Sequence, residues 1–444
     1  MRNRCLGMNE FVWLFGENEG ETMNNNAFYI WRRRANYSPN ISCYFVVNQN
    51  EKNKHIKDNL PLELQEKVIF KDSNAHTRIY KQADMLFVTH SYKDVIPKHY
   101  FKLVRRIKKP IIYLQHGTLG IKKIGYIGKS YWNNMFRFLT YNPNIASILI
   151  SEQGFKPYQI RFEIAHPRYM KLLELNDEQI VKNQILWFIT WREYFSSAEG
   201  KETLLKHVKK VIGNATLHAY LLASGNYIKI CLHAFVPSEV TNMIKNELST
   251  DRITVVHSDQ IDVMEEIARS ARLITDYSSL GFDFTFLKKP VLIYQFDKEN
   301  YLTERDTYCK ISEAFVEINC KDAETLITKL GKEEADLNPF FVNRLPSEWN
   351  EAKIKKGVYI DKLYEHLKEA QVRAITIIDC GNVNQALLLK LAESLLTKGY
   401  LVELLVLNGK WHAGYPLGLN VRFLFKTESK NPLQVIQSGM LSKN

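Results

Sequence analysis

The chain has 444 residues, of which 45% are hydrophobic and 24% charged, and its formal net charge is +12. This length exceeds one ordinary domain, and the composition excludes a disordered chain. No apolar run approaches the roughly 20 residues that cross a bilayer, and the N-terminus lacks the pattern of a signal peptide, so the sequence predicts a cytoplasmic protein.

Cysteine usage and charge narrow the possible partners. The six cysteines contain no C-x-x-C pair, which argues against a zinc site and a disulfide framework. The positive charge favours polyanionic partners, namely nucleic acid, anionic lipid or phosphorylated substrates. Basic clusters at 32–34, 105–109 and 122–123 fit such partners, and solvated helix faces are the alternative interpretation.

Short apolar strands alternate with helical segments in the first part of the chain. We predict strands at 12–15, 42–47, 68–70, 85–88, 111–114 and 148–150, with helices such as 76–83 and 98–108. This alternation predicts a mostly parallel sheet. The segment Tyr126 to Tyr141 mixes aromatic and basic residues and predicts a helix, which rests on an anionic membrane or packs in the core.

A second series of strands begins near residue 180. We predict strands at 185–189, 228–232, 253–256, 273–275 and 291–294, with helices at 263–270 and 281–287 and a closing helical pattern at 350–370. The fold class is therefore α/β, with Rossmann-like domains at 1–175 and 176–370 and ligands at the carboxyl ends of the strands, in the cleft between the halves.

The chain then starts another α/β unit. A strand at 374–379, a helix at 384–398 and a strand at 401–407 predict the beginning of a further Rossmann-like domain, 371–444. One βαβ unit cannot cover both faces of a parallel sheet. We therefore expect the natural protein to continue beyond Asn444.

Candidate functional residues follow the predicted strands directly. His116, with Gly117 and Thr118, comes after 111–114, and a histidine there can remove a proton from a hydroxyl. Thr190 and Arg192 come after 185–189, and arginine suits bidentate phosphate contacts. The alternatives are a packing histidine and an exposed salt bridge between Arg192 and Glu193.

The most informative stretch runs from Asp276 to Asp283, after the strand at 273–275. Ser278 and Ser279 stand where a helix begins, and the free N–H groups of a helix start can hold a pyrophosphate. An ordinary serine cap is the alternative. His233 follows 228–232 and is uninformative alone. No carboxylate pair has plausible metal spacing, so we predict no obligatory metal or cofactor.

Together these motifs resemble the CDP-glycerol glycerophosphotransferase family, the teichoic acid and capsule polymerases of bacteria. The resemblance covers about 10–370 and rests on His-Gly-Thr at 116–118, Thr-Trp-Arg at 190–192, Thr-Asp-Tyr-Ser-Ser-x-x-Phe-Asp-Phe at 275–284 and Lys-Pro-Val-Leu-Ile-Tyr-x-Phe-Asp at 289–297. Pro167-Arg168 resembles the family's Gly-x-Pro-Arg, with Ala165 in place of glycine. Ala234 and Ile189 stand where the family often has proline.

The resemblance implies a GT-B arrangement and a CDP-polyol donor, CDP-glycerol or CDP-ribitol, bound mainly by the second half. The implied reaction transfers polyol phosphate to a hydroxyl of a growing teichoic-acid-like or capsular polymer and releases CMP. The implied catalytic residues are His116 as the base, with His233 and Arg192 neutralising the pyrophosphate. The implied donor contacts are Thr190, Asp276, Tyr277, Ser278, Ser279 and Asp283, and the implied acceptor contacts are Gly117, Thr118 and Arg168.

Acceptors of this kind are usually lipid-linked, which implies a peripheral enzyme at the cytoplasmic face of the cell membrane. A GT-B glycosyltransferase that uses a nucleotide sugar is the alternative enzyme class, since it would share the fold and the phosphate seat. A basic nucleic-acid-binding protein is the non-enzymatic alternative, although the sequence has no such motif. The segment 371–444 resembles the opening of a second GT-B glycosyltransferase.

Overall fold

The computed structural model describes residues 11–37, 39–101, 109–123, 135–162, 165–179, 183–308, 318–331, 349–372, 374–379, 384–407 and 420–424. The chain divides into two compact units. The first unit comprises Met1–His116, Gly125–Arg168 and Lys356–Asn444, and the second comprises Gly117–Ile124 and Tyr169–Lys355. Each unit is built on a parallel sheet.

The described strands are short and mostly apolar. They are β1 Phe11–Gly16, β2 Ile41–Val47, β3 Val68–Phe70, β4 Met85–Val88, β5 Ile111–Tyr113, β6 Met135–Thr140, β7 Ile160–Phe162, β8 Gln184–Ile189, β9 Tyr227–Leu232, β10 Ile253–His257, β11 Ser270–Thr275, β12 Val291–Tyr294, β13 Asn319–Cys320, β14 Ile375–Asp379, β15 Val402–Leu407 and β16 Asn420–Leu424. Every residue of β1, β4, β6 and β8 is buried. Such continuous apolar runs are typical of parallel strands covered on both faces.

Helices separate most of these strands. They are α1 Asn26–Arg34, α2 Glu51–Asp58, α3 Leu62–Gln65, α4 Asn74–Gln82, α5 Pro143–Ser151, α6 Tyr169–Glu178, α7 Ala198–Ile212, α8 Ala215–Ser224, α9 Ser238–Leu248, α10 Val263–Arg269, α11 Leu280–Phe286, α12 Lys298–Glu304, α13 Ala323–Leu330, α14 Glu351–Lys355, α15 Val358–Val372 and α16 Gln385–Thr397. Among the residues that the structure describes, no helix combines the length and the apolar character that a membrane span requires.

The two large sheets share one strand order. The first is β3-β2-β1-β4-β5-β6-β7 and the second is β10-β9-β8-β11-β12-β13. In each sheet the first strand of the unit pairs with both its second and its fourth strand, all in parallel. The order reverses there, and open α/β sheets bind ligands at such a switch point. The predicted α/β class with two Rossmann-like halves is confirmed.

Two predicted elements in the first unit are wrong. Residues 148–150 form the end of helix α5 rather than a strand, because the side chain of Asn142 accepts the N–H of Asn144 and Pro143 occupies the first turn. Residues 135–140 form the buried strand β6 rather than part of a helix. Positions 126–134 of the predicted helix lie outside the described residues, as do 102–108 of the predicted helix at 98–108.

The closing helical pattern at 350–370 also differs from its prediction. α14 belongs to the second unit, but α15 belongs to the first. Arg33 on α1 donates two hydrogen bonds to Asp361, at 2.6 and 2.8 Å, and Tyr364 packs its ring 4.9 Å from that of Trp13. The compact units therefore do not follow the consecutive ranges predicted from the sequence.

The terminal segment forms a third parallel sheet, β14-β15-β16, with α16 between its first two strands. A small apolar core lies under α16, formed by Leu388, Ala392, Leu396, Val402, Leu404 and Val406, and Tyr158 packs against it. The predicted βαβ arrangement is thus present. Whether it opens a glycosyltransferase domain stays a prediction.

Candidate active site

A fully buried arginine organises the loops of the second unit. Arg192, after β8, donates from Nε and Nη2 to the two carboxylate oxygens of Asp297, each at 2.8 Å, and from Nη1 to Asp276 at 2.6 Å. Its side chain has no exposed area. Burial by itself lowers the pKa of Arg192, but the carboxylates of Asp276 and Asp297 outweigh this and raise it. The guanidinium is therefore permanently charged and already neutralised.

Aromatic rings surround this guanidinium. The central guanidinium carbon, Cζ, lies 5.1 to 5.4 Å from the centroids of four rings, those of Phe195, Tyr277, Phe296 and Tyr301. Tyr277 and Tyr301 stack in parallel, with centroids 3.5 Å apart. The rings separate the ion cluster from water, so Arg192 does not present its charge to a ligand.

Asp276 ties the ends of β8 and β11 together. Its Oδ1 accepts the hydroxyl of Thr190 at 2.6 Å and the N–H of Tyr277 at 2.6 Å. Thr190, Arg192, Asp276 and Tyr277, all predicted from the sequence, thus form one buried network. We revise the predicted role of Arg192 from a pyrophosphate contact to a support for these loops. The alternative salt bridge to Glu193 is wrong too, since Arg305 makes that contact at 3.3 Å.

The turn before α11 contacts another loop. The N-cap residue of α11 is Ser279, whose side chain makes no capping hydrogen bond, and Ser278 Oγ accepts the N–H of Leu280 at 3.2 Å. Ser279 lies against Gly117: a Cβ added to that glycine would be 2.5 Å from Ser279 Oγ. A larger residue at position 117 would therefore require the Ser279 hydroxyl to move. Thr118 is buried beside Gly117, and Asp283 is buried on α11.

The residues after Gly117 continue along the second unit. Tyr308 N–H donates to the carbonyl of Ile121 at 2.9 Å, and Lys123 N–H donates to that of Asp306 at 2.8 Å. Lys122 lies opposite Thr307 in this short antiparallel pair. Residues 117–123 are thereby held within the second unit by backbone bonds as well as by the contact of Gly117 with Ser279.

Two lysines, Lys122 and Lys123, lie in this antiparallel backbone pair. Burial lowers the pKa of Lys122, and the positive charges of Arg305 and Arg192 lower it further, against the opposing effect of Asp276. Lys123 differs, because its ammonium reaches the Asp306 carboxylate at 3.1 Å. Lys122 has no such carboxylate contact among the described residues. Its charge is therefore available to an anion.

His233, after β9, belongs to the same environment. Its Nδ1 accepts the N–H of Phe235 at 3.2 Å, which places the proton of the neutral ring on Nε2. Burial, followed by the charge of Lys122, lowers the pKa of His233 to about 4. At neutral pH this histidine offers a hydrogen bond rather than the positive charge that we predicted for it.

His116 is the last residue of the first segment of the first unit. Gln115, directly after Leu114, has a left-handed backbone (φ 57°), and its side chain donates to the carbonyl of Leu139. This turn directs His116 toward the loop after β4, where its Nδ1 lies 3.4 Å from the carbonyl oxygen of Thr89. Its ring stacks on that of His90, with centroids 4.0 Å apart and planes inclined by 10°.

Asn26 connects Arg168 with the His116 loop. Asn26 Nδ2 donates to the carbonyls of Leu114 and Gln115 at 3.1 and 2.7 Å, and its Oδ1 accepts the N–H of Arg168 at 3.1 Å. His166 is buried alongside; burial, followed by the charges of Arg168 and His116, lowers its pKa. Arg168 and His116 are thus brought together in the first unit, whereas Gly117 and Thr118 belong to the second.

Two buried carboxylates support this region. Asp94 Oδ2 accepts the N–H groups of Thr89, His90 and Ser91 at 2.9, 2.8 and 3.2 Å. Burial raises the pKa of Asp94 to about 6, against those hydrogen bonds. Burial likewise raises the pKa of Glu17, after β1, to about 8, although it accepts three backbone N–H bonds.

Sequence reasoning missed His90, Asn26, Asp94 and Glu17. His90 follows β4 just as the predicted histidines follow β5 and β9, so the same pattern could have identified it. The other three act through backbone contacts that no motif signals. In the described part of the chain, no group of His, Cys, Asp and Glu side chains is arranged to hold a metal ion.

Two α/β units of Rossmann strand order define an α/β protein of the GT-B-like fold class, and histidines and a serine pair follow its strands. Residues 1–340 match the family model described as CDP-Glycerol:Poly(glycerophosphate) glycerophosphotransferase, and the chain belongs to this family. The predicted resemblance is thereby confirmed.

Curated relatives come from teichoic acid synthesis. The chain is 22% identical over 317 residues to the minor teichoic acid biosynthesis protein GgaB of Bacillus subtilis, across 67% of this chain and 33% of GgaB. It is 31% identical over 173 residues to the teichoic acid poly(glycerol phosphate) polymerase of Bacillus spizizenii (36% and 41%), and 24% over 250 residues to the ribitol-phosphate primase of that species (48% and 59%). The chain thus spans about a third to three fifths of these relatives.

A solved structure shares the fold. The wall teichoic acid polymerase TagF superposes with a TM-score of 0.57 at 18% identity, over 81% of this chain and 89% of that one. A histidine variant of TagF soaked with CDPG superposes with a TM-score of 0.55. This likeness confirms the predicted fold.

Proposed function

We propose that the protein transfers a polyol phosphate from a CDP-polyol to a hydroxyl of a growing teichoic-acid-like or capsular polymer and releases CMP. The observation that carries this proposal is the contact within the second unit between Gly117, of the His-Gly-Thr motif, and Ser279, of the Ser-Ser turn. His116 is one peptide unit, about 3.8 Å between Cα atoms, from Gly117. Family membership supports the same reaction.

The relatives support a polyol-phosphate donor without selecting the polyol. Their names include glycerol-phosphate and ribitol-phosphate enzymes alike, and the TagF variant was soaked with CDPG. We therefore propose CDP-glycerol as the first donor to test and CDP-ribitol as the second.

In the proposed mechanism, His116 accepts the proton of the acceptor hydroxyl. The oxygen then attacks the β-phosphorus, a new P–O bond forms, and the bond to the bridging oxygen breaks with its electron pair leaving on CMP. Neutral His233 donates its Nε2–H to a phosphate oxygen, and Lys122 supplies the positive charge that buried Arg192 cannot. We propose that Ser278 and Ser279 bind the same phosphates and that no protein-bound metal is obligatory.

The proposed acceptor side includes Arg168 and Thr118. A lipid-linked acceptor would place the protein at the cytoplasmic face of the membrane, and the net charge of +12 supports attachment to an anionic surface. Flotation with phosphatidylglycerol vesicles, compared with phosphatidylcholine vesicles, tests this attachment. Equal flotation with both would contradict it.

Nucleotide release tests the reaction. The protein is incubated with a polyol-phosphate oligomer as acceptor and with CDP-glycerol, CDP-ribitol or a UDP-sugar, with and without EDTA. We expect CMP from a CDP-polyol in both conditions. UDP release from the sugar donor alone would favour the glycosyltransferase alternative, and no CMP from either CDP-polyol would contradict the proposal.

Two sets of variants separate the roles. His116→Ala should abolish turnover and leave donor affinity within about twofold, because the base acts on the acceptor. Ser278→Ala with Ser279→Ala should weaken donor affinity about tenfold or more, as loss of hydrogen bonds to a charged group does. Exposed Ser249→Ala is the matched control. Normal turnover in His116→Ala would remove that histidine from the mechanism.

A further inference from the structure

The stacked pair of His90 and His116 follows from the topology of the first sheet. β4 and β5 are adjacent parallel strands, with Val88 opposite Tyr113. The loops that follow them leave the same edge of the sheet, so residues two or three positions beyond each strand meet. The two imidazole rings stack there, 4.0 Å apart and nearly parallel.

His90 is fixed from several directions. Its Nδ1 accepts the N–H of Asn18 at 3.1 Å and lies 2.8 Å from the hydroxyl of Thr89. Its own backbone N–H donates to buried Asp94 at 2.8 Å. Since Nδ1 is an acceptor, the neutral ring carries its proton on Nε2. Burial lowers the pKa of His90 to about 4, so the ring is uncharged at neutral pH.

The charges around His116 come from each neighbouring segment. The loop after β4 contributes His90 and, behind it, Asp94; the segment after β7 contributes His166 and Arg168; Glu17 follows β1. Of these, Arg168 acts together with His116 on buried His166, whose pKa both lower. His90 contributes a neutral aromatic face, which favours a cation.

We propose that His90 is a positioning residue that holds the His116 ring by stacking and stabilises the imidazolium formed when His116 accepts a proton. With its Nδ1–H toward the Thr89 carbonyl, His116 carries its lone pair on Nε2, the atom that receives the acceptor proton. The catalytic part of this inference rests on the proposed function, whereas the effect of His90 on the titration of His116 does not.

Three substitutions separate the ring face from the hydrogen bond. His90→Phe keeps an aromatic face and removes the acceptor for Asn18, His90→Asn keeps an acceptor and removes the face, and His90→Ala removes both. Exposed His99→Ala is the matched control, since the ring of His99 lies 4.1 Å from that of Tyr100, inclined by 44°. Equal thermal unfolding of the variants is verified first.

Steady-state kinetics and a histidine titration by NMR supply the readouts. We expect His90→Asn and His90→Ala to lower kcat about tenfold with an unchanged KM for the CDP-polyol, and to lower the pKa of His116 by about half a unit. His90→Phe and His99→Ala should keep both values close to those of the unchanged protein. The resonance of His116 is assigned through His116→Asn.

Several results would overturn the inference. If His90→Asn behaves as the unchanged protein and His90→Phe loses activity, the bond to Asn18 matters and the ring face does not. If the pKa of His116 is the same in all variants, His90 does not stabilise the imidazolium. If the protein releases no CMP from a CDP-polyol, the proposed function fails, and the NMR titration still decides the effect of His90.

Discussion

Replacing Arg192 by methionine tests whether this arginine supports the loops of the second unit. Arg192→Met keeps a long side chain and leaves Asp276 and Asp297, which are 1% and 6% exposed, without their guanidinium. Removal of one partner from a buried ion cluster costs about 3–5 kcal/mol. That is a large share of the roughly 5–15 kcal/mol that stabilises a typical native protein.

Native-state hydrogen exchange is the suitable assay, because it measures opening of each unit without assuming one global transition. Peptides that cover β8 and β11 should exchange about 10²- to 4 × 10³-fold faster in Arg192→Met. Adding Asp297→Asn should recover part of this loss, since one unpaired buried carboxylate is removed. Peptides from β1 and β4, in the first unit, should not change.

Arg305→Met is the matched control. Arg305 contacts Glu193 at 3.3 Å, and both side chains are partly exposed. A pair of this kind contributes about 0–1 kcal/mol, which corresponds to less than about tenfold in exchange. An effect of Arg192→Met as small as that of Arg305→Met would refute the supporting role of Arg192.

Two further predictions concern charge. Lys122→Met should raise the KM for the CDP-polyol about tenfold or more, as loss of a charged hydrogen bond does. Lys123→Met, which loses the exposed ion pair with Asp306, should keep the KM within about twofold. Equal KM values in the two variants would exclude Lys122 from donor binding. Glu17 has an ordinary pKa of 4.5 and a folded-state pKa of about 8, so its contribution to stability is complete below pH 4.5 and is lost as the pH rises through 8. Hydrogen exchange in β1, corrected for its intrinsic pH dependence, should show an opening free energy about 3 kcal/mol lower at pH 8 than at pH 5.5. If a Glu17→Gln variant shows the same pH dependence, Glu17 is not the group responsible.

The predicted strands were correct where an apolar run was short and bounded by polar turn residues, as in β8 and β12. Residues 148–150 are equally apolar, but they lie in the helix that begins after the N-cap residue Asn142. Helix length and capping, rather than hydrophobicity, therefore determine the secondary structure of this segment. β6 contains Arg137, whose charge suggested an amphipathic helix. In the structure this guanidinium donates to the carbonyls of Phe136 and Tyr158, at 2.9 and 3.0 Å, which allows it to be buried in a strand.

The sequence indicated which positions lie at the ends of the strands, but it indicated the contacts of their side chains less well. Strand ends identified His116, Arg192, His233 and Asp276, because parallel strands place their following loops at one edge. The role of Arg192 depends on Asp297, 105 residues later in the chain. No local spacing reveals that partner, so burial of the arginine could be learned only from the folded chain.

The route of the chain through its two units limits how they can be separated. Residues 117–124 belong to the second unit, where their backbone pairs with residues 306–308. The chain then returns to the first unit for residues 125–168 and enters the second unit again at Tyr169. From residue 356 onward, which includes α15, the chain belongs to the first unit again. A recombinant fragment that starts at residue 169 would therefore lack the strand that pairs with 306–308, and a chimera joined at residue 175 would set Gly117 from one parent against Ser279 from another. Expression of isolated halves or exchange of donor specificity between relatives requires residues 117–124 to be transferred together with 169–355.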